Sequence, residues 1–256
     1  MITTENLSLQ IGNKTLLHPL SLKLETGLLH LILGPNGAGK STLVKLLSGQ
    51  QKPSSGTVFY DDHKLISYRV EHLARFRAVL SQSVDFAFPL KVNEVVMMGR
   101  YPLFSSSPTK KDREIISLAI TLFEIENLAN RDYTTLSGGE KQRVQFARIM
   151  AQIWPDNDKP KILFLDEPLT YLDIKFQYDF LNLIADFLKK HPLTVVGVLH
   201  DLNLAARFAN NLILLKEGHL IAQGNQAHVL TSENIEKVYG MTPRIIEHDK
   251  RLLIDF

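Results

Sequence analysis

Residues 34 to 41 read Gly-Pro-Asn-Gly-Ala-Gly-Lys-Ser, and the residue types in that stretch suit the holding of a polyphosphate. Gly34, Gly37 and Gly39 let the backbone turn N–H groups toward anionic oxygens with no Cβ in the way. Lys40 reaches for the β- and γ-phosphates and Ser41 offers a hydroxyl to Mg²⁺, while Pro35, Asn36, Ala38 and Thr42 belong to the same nucleotide-binding stretch. The apolar run Leu28–Leu33 ends at Gly34, and Leu43, Leu46 and Leu47 then recur at helical spacing. That strand-turn-helix context separates a phosphate loop from a glycine-rich surface turn with a lysine, and the helix start adds its positive dipole end. The expected ligand is ATP with Mg²⁺.

Two further strand ends carry the chemistry that a bound nucleotide needs. Ile162–Leu165 reads as a strand covered on both faces and ends in Asp166-Glu167-Pro168. Adjacent carboxylates at a strand end point to opposite sides, so Asp166 faces the Mg²⁺ shell and Glu167 the γ-phosphate, as candidate general base for water. Thr194–Leu199 ends at His200-Asp201, again at a carboxyl end, where sheets of this kind place ligands. His200 taken alone reads more often as a structural hydrogen-bonding residue; three such strand ends together reverse that and favour contact with the γ-phosphate. Leu136-Ser137-Gly138-Gly139-Glu140 taken alone is an ordinary helix N-cap.

With these motifs in this order, nearly the whole chain resembles the ATP-binding subunit of ATP-binding-cassette transporters. The resemblance implies an α/β fold of the P-loop NTPase type, with a mostly parallel sheet core, an antiparallel β subdomain and an inserted helical subdomain. Residues 1–256 then form a single domain, with core at 1–82 and 159–256 and the helical subdomain at about 83–158. Gln82 falls where the family has its lid glutamine, a residue of the metal and catalytic site, and Leu172-Asp173 where it has the dimer-contacting loop. Ser137, Gly138 and Gly139 fall on the turn that binds the γ-phosphate held by the other subunit, which implies a head-to-tail homodimer burying two ATP molecules. The same resemblance implies two copies of a transmembrane permease as partners and, indirectly, an extracellular or periplasmic substrate-binding protein. The chain would then be peripheral, on the cytoplasmic face of the cell membrane.

The segment Phe88–Pro102 looks like the stretch after the lid glutamine in ATPases of haem, iron-siderophore and cobalamin importers. Ala147–Pro155 with the polar excursion Asp156–Pro160, and Leu199–Arg207, are similar to haem-import subunits, whereas Glu167–Ile174 looks more like the siderophore branch. Haem is the favoured cargo, siderophore or cobalamin the alternative. A soluble cassette ATPase of iron–sulfur cluster assembly shares the Leu-Ser-Gly-Gly-Glu-Lys stretch, and the segment Val92–Pro102 speaks against it. One departure is Ile11, which stands where the family usually stacks an aromatic ring on adenine. The loss of stacking, on the order of 1 kcal/mol, predicts weaker nucleotide affinity or base selectivity. Leu169, where threonine or serine is common, reads as packing.

Composition bounds the alternatives. A chain of 256 residues, 45% of them hydrophobic, can bury a sizeable core, and a formal charge of +2 is too mild to argue nucleic-acid binding. No apolar stretch reaches the ~18 to 20 residues that a bilayer span requires, and the polar start Met1–Asn6 does not read as a signal peptide. The absence of cysteine excludes disulfides and thiolate metal sites. Residues 2–25 and 56–66 read as alternating strands of an antiparallel sheet beside the nucleotide. Ile115, Leu118, Ala119, Leu122 and Phe123 read as one helix face, Val144, Ala147 and Ala151 as another, and Phe176, Phe180, Ile184, Phe187 and Leu188 as a helix laid on the sheet. Phe86, Phe88 and Tyr101 read either as a groove for a permease helix or as this chain's own core. Residues from about Gly240 read as a closing strand or a dimer contact.

Overall fold

The computed structural model describes residues 1–81, 86, 88–155, 159–248 and 251–256. The chain opens with an antiparallel hairpin, β1 (Ile2–Ile11) and β2 (Lys14–Leu20), then the short β3 (Lys23–Leu24) and the fully buried β4 (Leu29–Leu33). After the glycine-rich loop come α1 (Lys40–Ser48), β5 (Ser55–Tyr60), β6 (His63–Lys64), α2 (Val70–Leu73) and β7 (Arg77–Leu80). A helical stretch follows, with α3 (Val92–Met98), α4 (Lys110–Leu122) and α5 (Gly138–Gln152) packed on one another. The chain returns through β8 (Lys161–Leu165), α6 (Ile174–Lys190), β9 (Leu193–Val198) and α7 (Leu202–Phe208). It continues with β10 (Asn211–Lys216), β11 (His219–Gly224), α8 (Gln226–Val229) and α9 (Ser232–Tyr239), and ends in the hairpin β12 (Arg244–His248) and β13 (Arg251–Asp255).

The central sheet has the order β11-β10-β4-β9-β8-β7, parallel from β10 to β7 with β11 as an antiparallel edge. Its middle strands are continuous apolar runs because helices or a second sheet cover both faces. The strand period of two divides their side chains between two cores. On one side Leu31, Leu163, Val195 and Leu212 join Val95, Phe146, Phe180 and Ile184 from α3, α5 and α6. On the other, Ile32, Phe164, Val196 and Ile213 meet Leu43 and Leu47 of α1 and the antiparallel sheet β2-β1-β5-β6. Helix α1 is therefore clamped between two sheets. Each fully buried Leu or Phe contributes about 1.5–3 kcal/mol, so the helix that follows the glycine-rich loop has a fixed seat.

Two readings of the sequence are corrected. Helix α4 buries Ile115, Ile116, Ala119, Ile120 and Phe123, while Leu118 is 53% exposed and Leu122 only partly covered. The helix is rotated toward Ile116 and Ile120 because its seat is set by α3 and α5, and sequence spacing alone does not define that direction. The stretch after Gly240 is a hairpin rather than a single closing strand. It is tied to α7 through Asn203, whose amide donates to the Ile254 carbonyl at 3.1 Å and accepts from the Ile254 N–H at 2.8 Å. Within the helical stretch, Arg100 joins three segments: it donates to Asp112 at 2.9 Å and to the Ala151 carbonyl at 2.8 Å, and both ion-pair side chains are buried.

Candidate nucleotide site

The carboxyl ends of β4, β9 and β8 lie side by side, and each delivers one part of the site. From β4 the chain enters the loop at Gly34, where a Cβ would stand 2.3 Å from the Leu215 carbonyl oxygen, too close for any other residue. At the far end Gly39, with φ +98, caps α1 in a conformation that L side chains rarely adopt. Asn36 and Gly37 form the exposed rim, and Ala38 is buried beneath it. The Lys40 side chain folds back along the loop, donating to the carbonyls of Gly34 and Pro35 at 2.9 Å each. Burial pushes its ammonium below the usual lysine range, against the opposing pull of Glu167 and Asp166.

Ser41 and Thr42 occupy the first turn of α1, and the Ser41 hydroxyl donates to Asp166 at 2.8 Å. Burial pushes the Asp166 carboxyl above the usual range, the Ser41 hydrogen bond lowers it, and the charge of Glu167 adds to the rise. A hydroxyl and a carboxylate in contact form an oxygen donor set suited to a hard divalent cation such as Mg²⁺. Glu167 adopts φ +52 and its Oε1 lies 2.8 Å from His200 Nε2, joining the end of β8 to the end of β9. Beside them opens a cleft of about 220 Å³ whose lining includes Glu167, Thr170, Gln177 and His200.

Ser137 is exposed and caps α5: its hydroxyl accepts from the Glu140 N–H at 3.3 Å, while the Ser137 N–H donates to the Glu140 carboxylate at 2.8 Å. Those two bonds form a capping box, and the hydrogen bonds that the carboxyl of Glu140 accepts from the Ser137 N–H and hydroxyl, with the charge of Arg131 at 3.5 Å, hold it below its ordinary range. Gly138 and Gly139 rest on Tyr171, in the loop that follows Glu167. Ile11 ends the first strand of the β1–β2 hairpin and is 56% exposed. Leu169 is buried in the core, as its packing role requires. Phe86 splits from Phe88 and Tyr101: it packs edge-on against Tyr133 and the core, whereas Phe88 and Tyr101 are exposed. Gln82 lies outside the described residues, as do Asp156, Asn157 and Asp158 of the polar excursion.

Sequence reasoning missed the support behind the phosphate loop. The β10–β11 hairpin backs it, with the Gly218 N–H donating to the Ala38 carbonyl at 3.0 Å and Leu215 against Gly34. Tyr239 of α9 sets its hydroxyl beside the Gly34 backbone, and burial pushes that phenol up to about 12. Neither has a local signature, since both lie some 180 to 200 residues along the chain from the loop they support.

Comparison with known proteins places this geometry in a family. The family described as "ABC transporter" matches residues 17–170. The hemin import ATP-binding protein HmuV of Escherichia coli O157:H7 is 38% identical over 259 residues, covering 100% of both chains. Its counterpart in Gloeobacter violaceus is 41% identical over 251 residues, covering 98% of this chain and 91% of that relative. Among solved structures, a dimeric bacterial ABC transporter cassette superposes with a TM-score of 0.78 at 27% identity, covering 88% of this chain and 98% of the other.

Proposed function

Because the chain belongs to the ABC transporter family, as an ATP-hydrolysing cassette subunit of an importer, we propose that it drives haemin import as a head-to-tail homodimer bound to two permease subunits. The observation that carries the catalytic part is the pairing of contacts at adjacent strand ends, Ser41 with Asp166 and Glu167 with His200. In this reading the N–H groups of residues 36–42 and the Lys40 ammonium hold the polyphosphate and neutralise its charge. Ser41 and Asp166, with Gln82 from the lid segment, hold Mg²⁺, which when bound draws charge from the β- and γ-phosphate oxygens. His200 holds the Glu167 carboxylate toward the γ-phosphate. Water attacks the γ-phosphorus and gives its proton to Glu167 as the bond to the β–γ bridging oxygen breaks, leaving ADP and phosphate.

Ser137, Gly138 and Gly139 complete the neighbour's pocket. The exposure of Ser137 and Gly138 supports this, since the start of α5 is open to a second copy. The helical segment of about 83–158 faces the permease, with Phe88 and Tyr101 as its exposed apolar contacts. Among the described residues no helix is long and apolar enough to cross a membrane. In this reading the chain sits on the cytoplasmic face of the cell membrane through its contact with the permease. Haemin as cargo rests on the names of relatives that match along 91% or more of their length. The test is reconstitution in proteoliposomes with the permease that co-purifies with the chain, comparing haemin, a ferric siderophore and cobalamin. ATP-dependent uptake of haemin alone supports the assignment; uptake of a siderophore alone moves it to the branch that Glu167–Ile174 resembles.

A further inference from the structure

The loop after Glu167 is fastened to the helix that Ser137 opens. Gln142, in the second turn of α5, donates its side-chain amide to the Pro168 carbonyl at 2.7 Å. Three residues on, Tyr171 holds φ +71 with its ring against Gly138; a Cβ built on that glycine would lie 3.4 Å from both Cβ and Cγ of Tyr171. Thr170 turns its hydroxyl back to the Glu167 carbonyl at 3.2 Å, and Gln177 of α6 donates to the Leu172 carbonyl at 3.0 Å. Glu167 itself sits at φ +52, a region that a side-chain-bearing residue leaves unless its surroundings hold it.

Proline fixes φ at position 168 and narrows ψ of the residue before it, so the softest torsion between Glu167 and the rest of the loop is the Pro168 ψ. A donor on the Pro168 carbonyl removes that freedom. We infer that Gln142 is a positioning residue for Glu167, which sets the carboxylate according to where the start of α5 stands. This rests on Glu167 being the base and on the shared pocket proposed above. Docking of a neighbour's γ-phosphate on Ser137–Gly139 moves or steadies α5, and Gln142, through the Pro168 carbonyl 26 residues further along the chain, passes that state to the base of its own subunit.

The test uses the full-length chain with Gln142→Met, which keeps length and removes the donor, and Gln142→Leu as a second shape. Loss of one neutral hydrogen bond predicts a fall in kcat of about five- to tenfold. KM for ATP, binding of a fluorescent ATP analogue and the melting temperature should stay at wild-type values, and the Hill coefficient for ATP should fall toward one. A wild-type kcat in both variants, or a KM that rises or a melting temperature that falls along with the loss of kcat, overturns the inference. Action through Glu167 also demands non-additivity: Gln142→Met combined with Glu167→Gln should be no slower than Glu167→Gln alone, and a further loss refutes the route. The two readings fail separately, because full turnover in the Glu167→Gln single variant removes the base assignment whatever Gln142 does.

Discussion

Glu167→Gln tests the chemistry most directly. The amide keeps the shape of the carboxylate and its contact with His200 at 2.8 Å, but it cannot take a proton from water. Removal of a positioned general base costs about 10² to 10⁴ in rate. The same change alters charge in a site where burial pushes the Asp166 carboxyl up and the charge of Glu167 pushes it further. With that charge gone, repulsion against an incoming polyphosphate falls. Two unit charges 4 Å apart interact by about 4 kcal/mol at an effective dielectric near 20, and solvent at the edge of the cleft reduces this to a fraction. ATP should therefore bind as tightly as in the wild type or up to about tenfold tighter, and closed dimers should accumulate. Single-turnover hydrolysis, equilibrium binding of a fluorescent ATP analogue and gel filtration with ATP read the three quantities. Turnover within threefold of wild type, or ATP binding lost with turnover, would refute the assignment of Glu167 as base.

Ser137→Arg places a bulky cation at the exposed start of α5 and should stop hydrolysis while the monomer still binds ATP; an active monomer on analytical ultracentrifugation contradicts the shared pocket. Ile11→Tyr supplies the missing ring at the exposed end of the hairpin and should tighten ATP binding about fivefold, the equivalent of ~1 kcal/mol of stacking, which calorimetry measures. Arg100→Met removes one side of a buried ion pair and should cost about 3 kcal/mol, toward the low end of the usual range because Thr109 still donates two hydrogen bonds to Asp112; urea melts read it. Burial pushes the Asp112 carboxyl up, yet the bonds from Thr109 and the Arg100 guanidinium outweigh it and hold the group below the ordinary aspartate range. Its contribution is thus complete above the unfolded aspartate pKa of about 3.9 and drains away as pH falls through the lower folded value. Asp112→Asn should flatten that acid limb of stability, and an unchanged limb rules the linkage out.

The sequence by itself determined the parts whose chemistry is contiguous. A glycine run between a buried strand and a helix can be read locally, because the strand that enters it, the helix that leaves it and the fold of Lys40 back onto the Gly34 and Pro35 carbonyls all lie within a few residues. The same holds for Asp166-Glu167 at the end of an all-apolar strand, and for Ser137 as the cap of α5. Tertiary structure decided what depends on direction. Leu118 turns outward and Ile116 inward because α4 is seated by two other helices, and the hairpin that β12 and β13 form after Gly240 is docked on α7 because Asn203 offers a matching amide. The backing of the phosphate loop by Gly218, the contact of His200 with Glu167 and the hold of Gln142 on Pro168 each join segments far apart in the chain. Periodicity states which face of an element is apolar; only the packed sheet and its two cores state what that face meets.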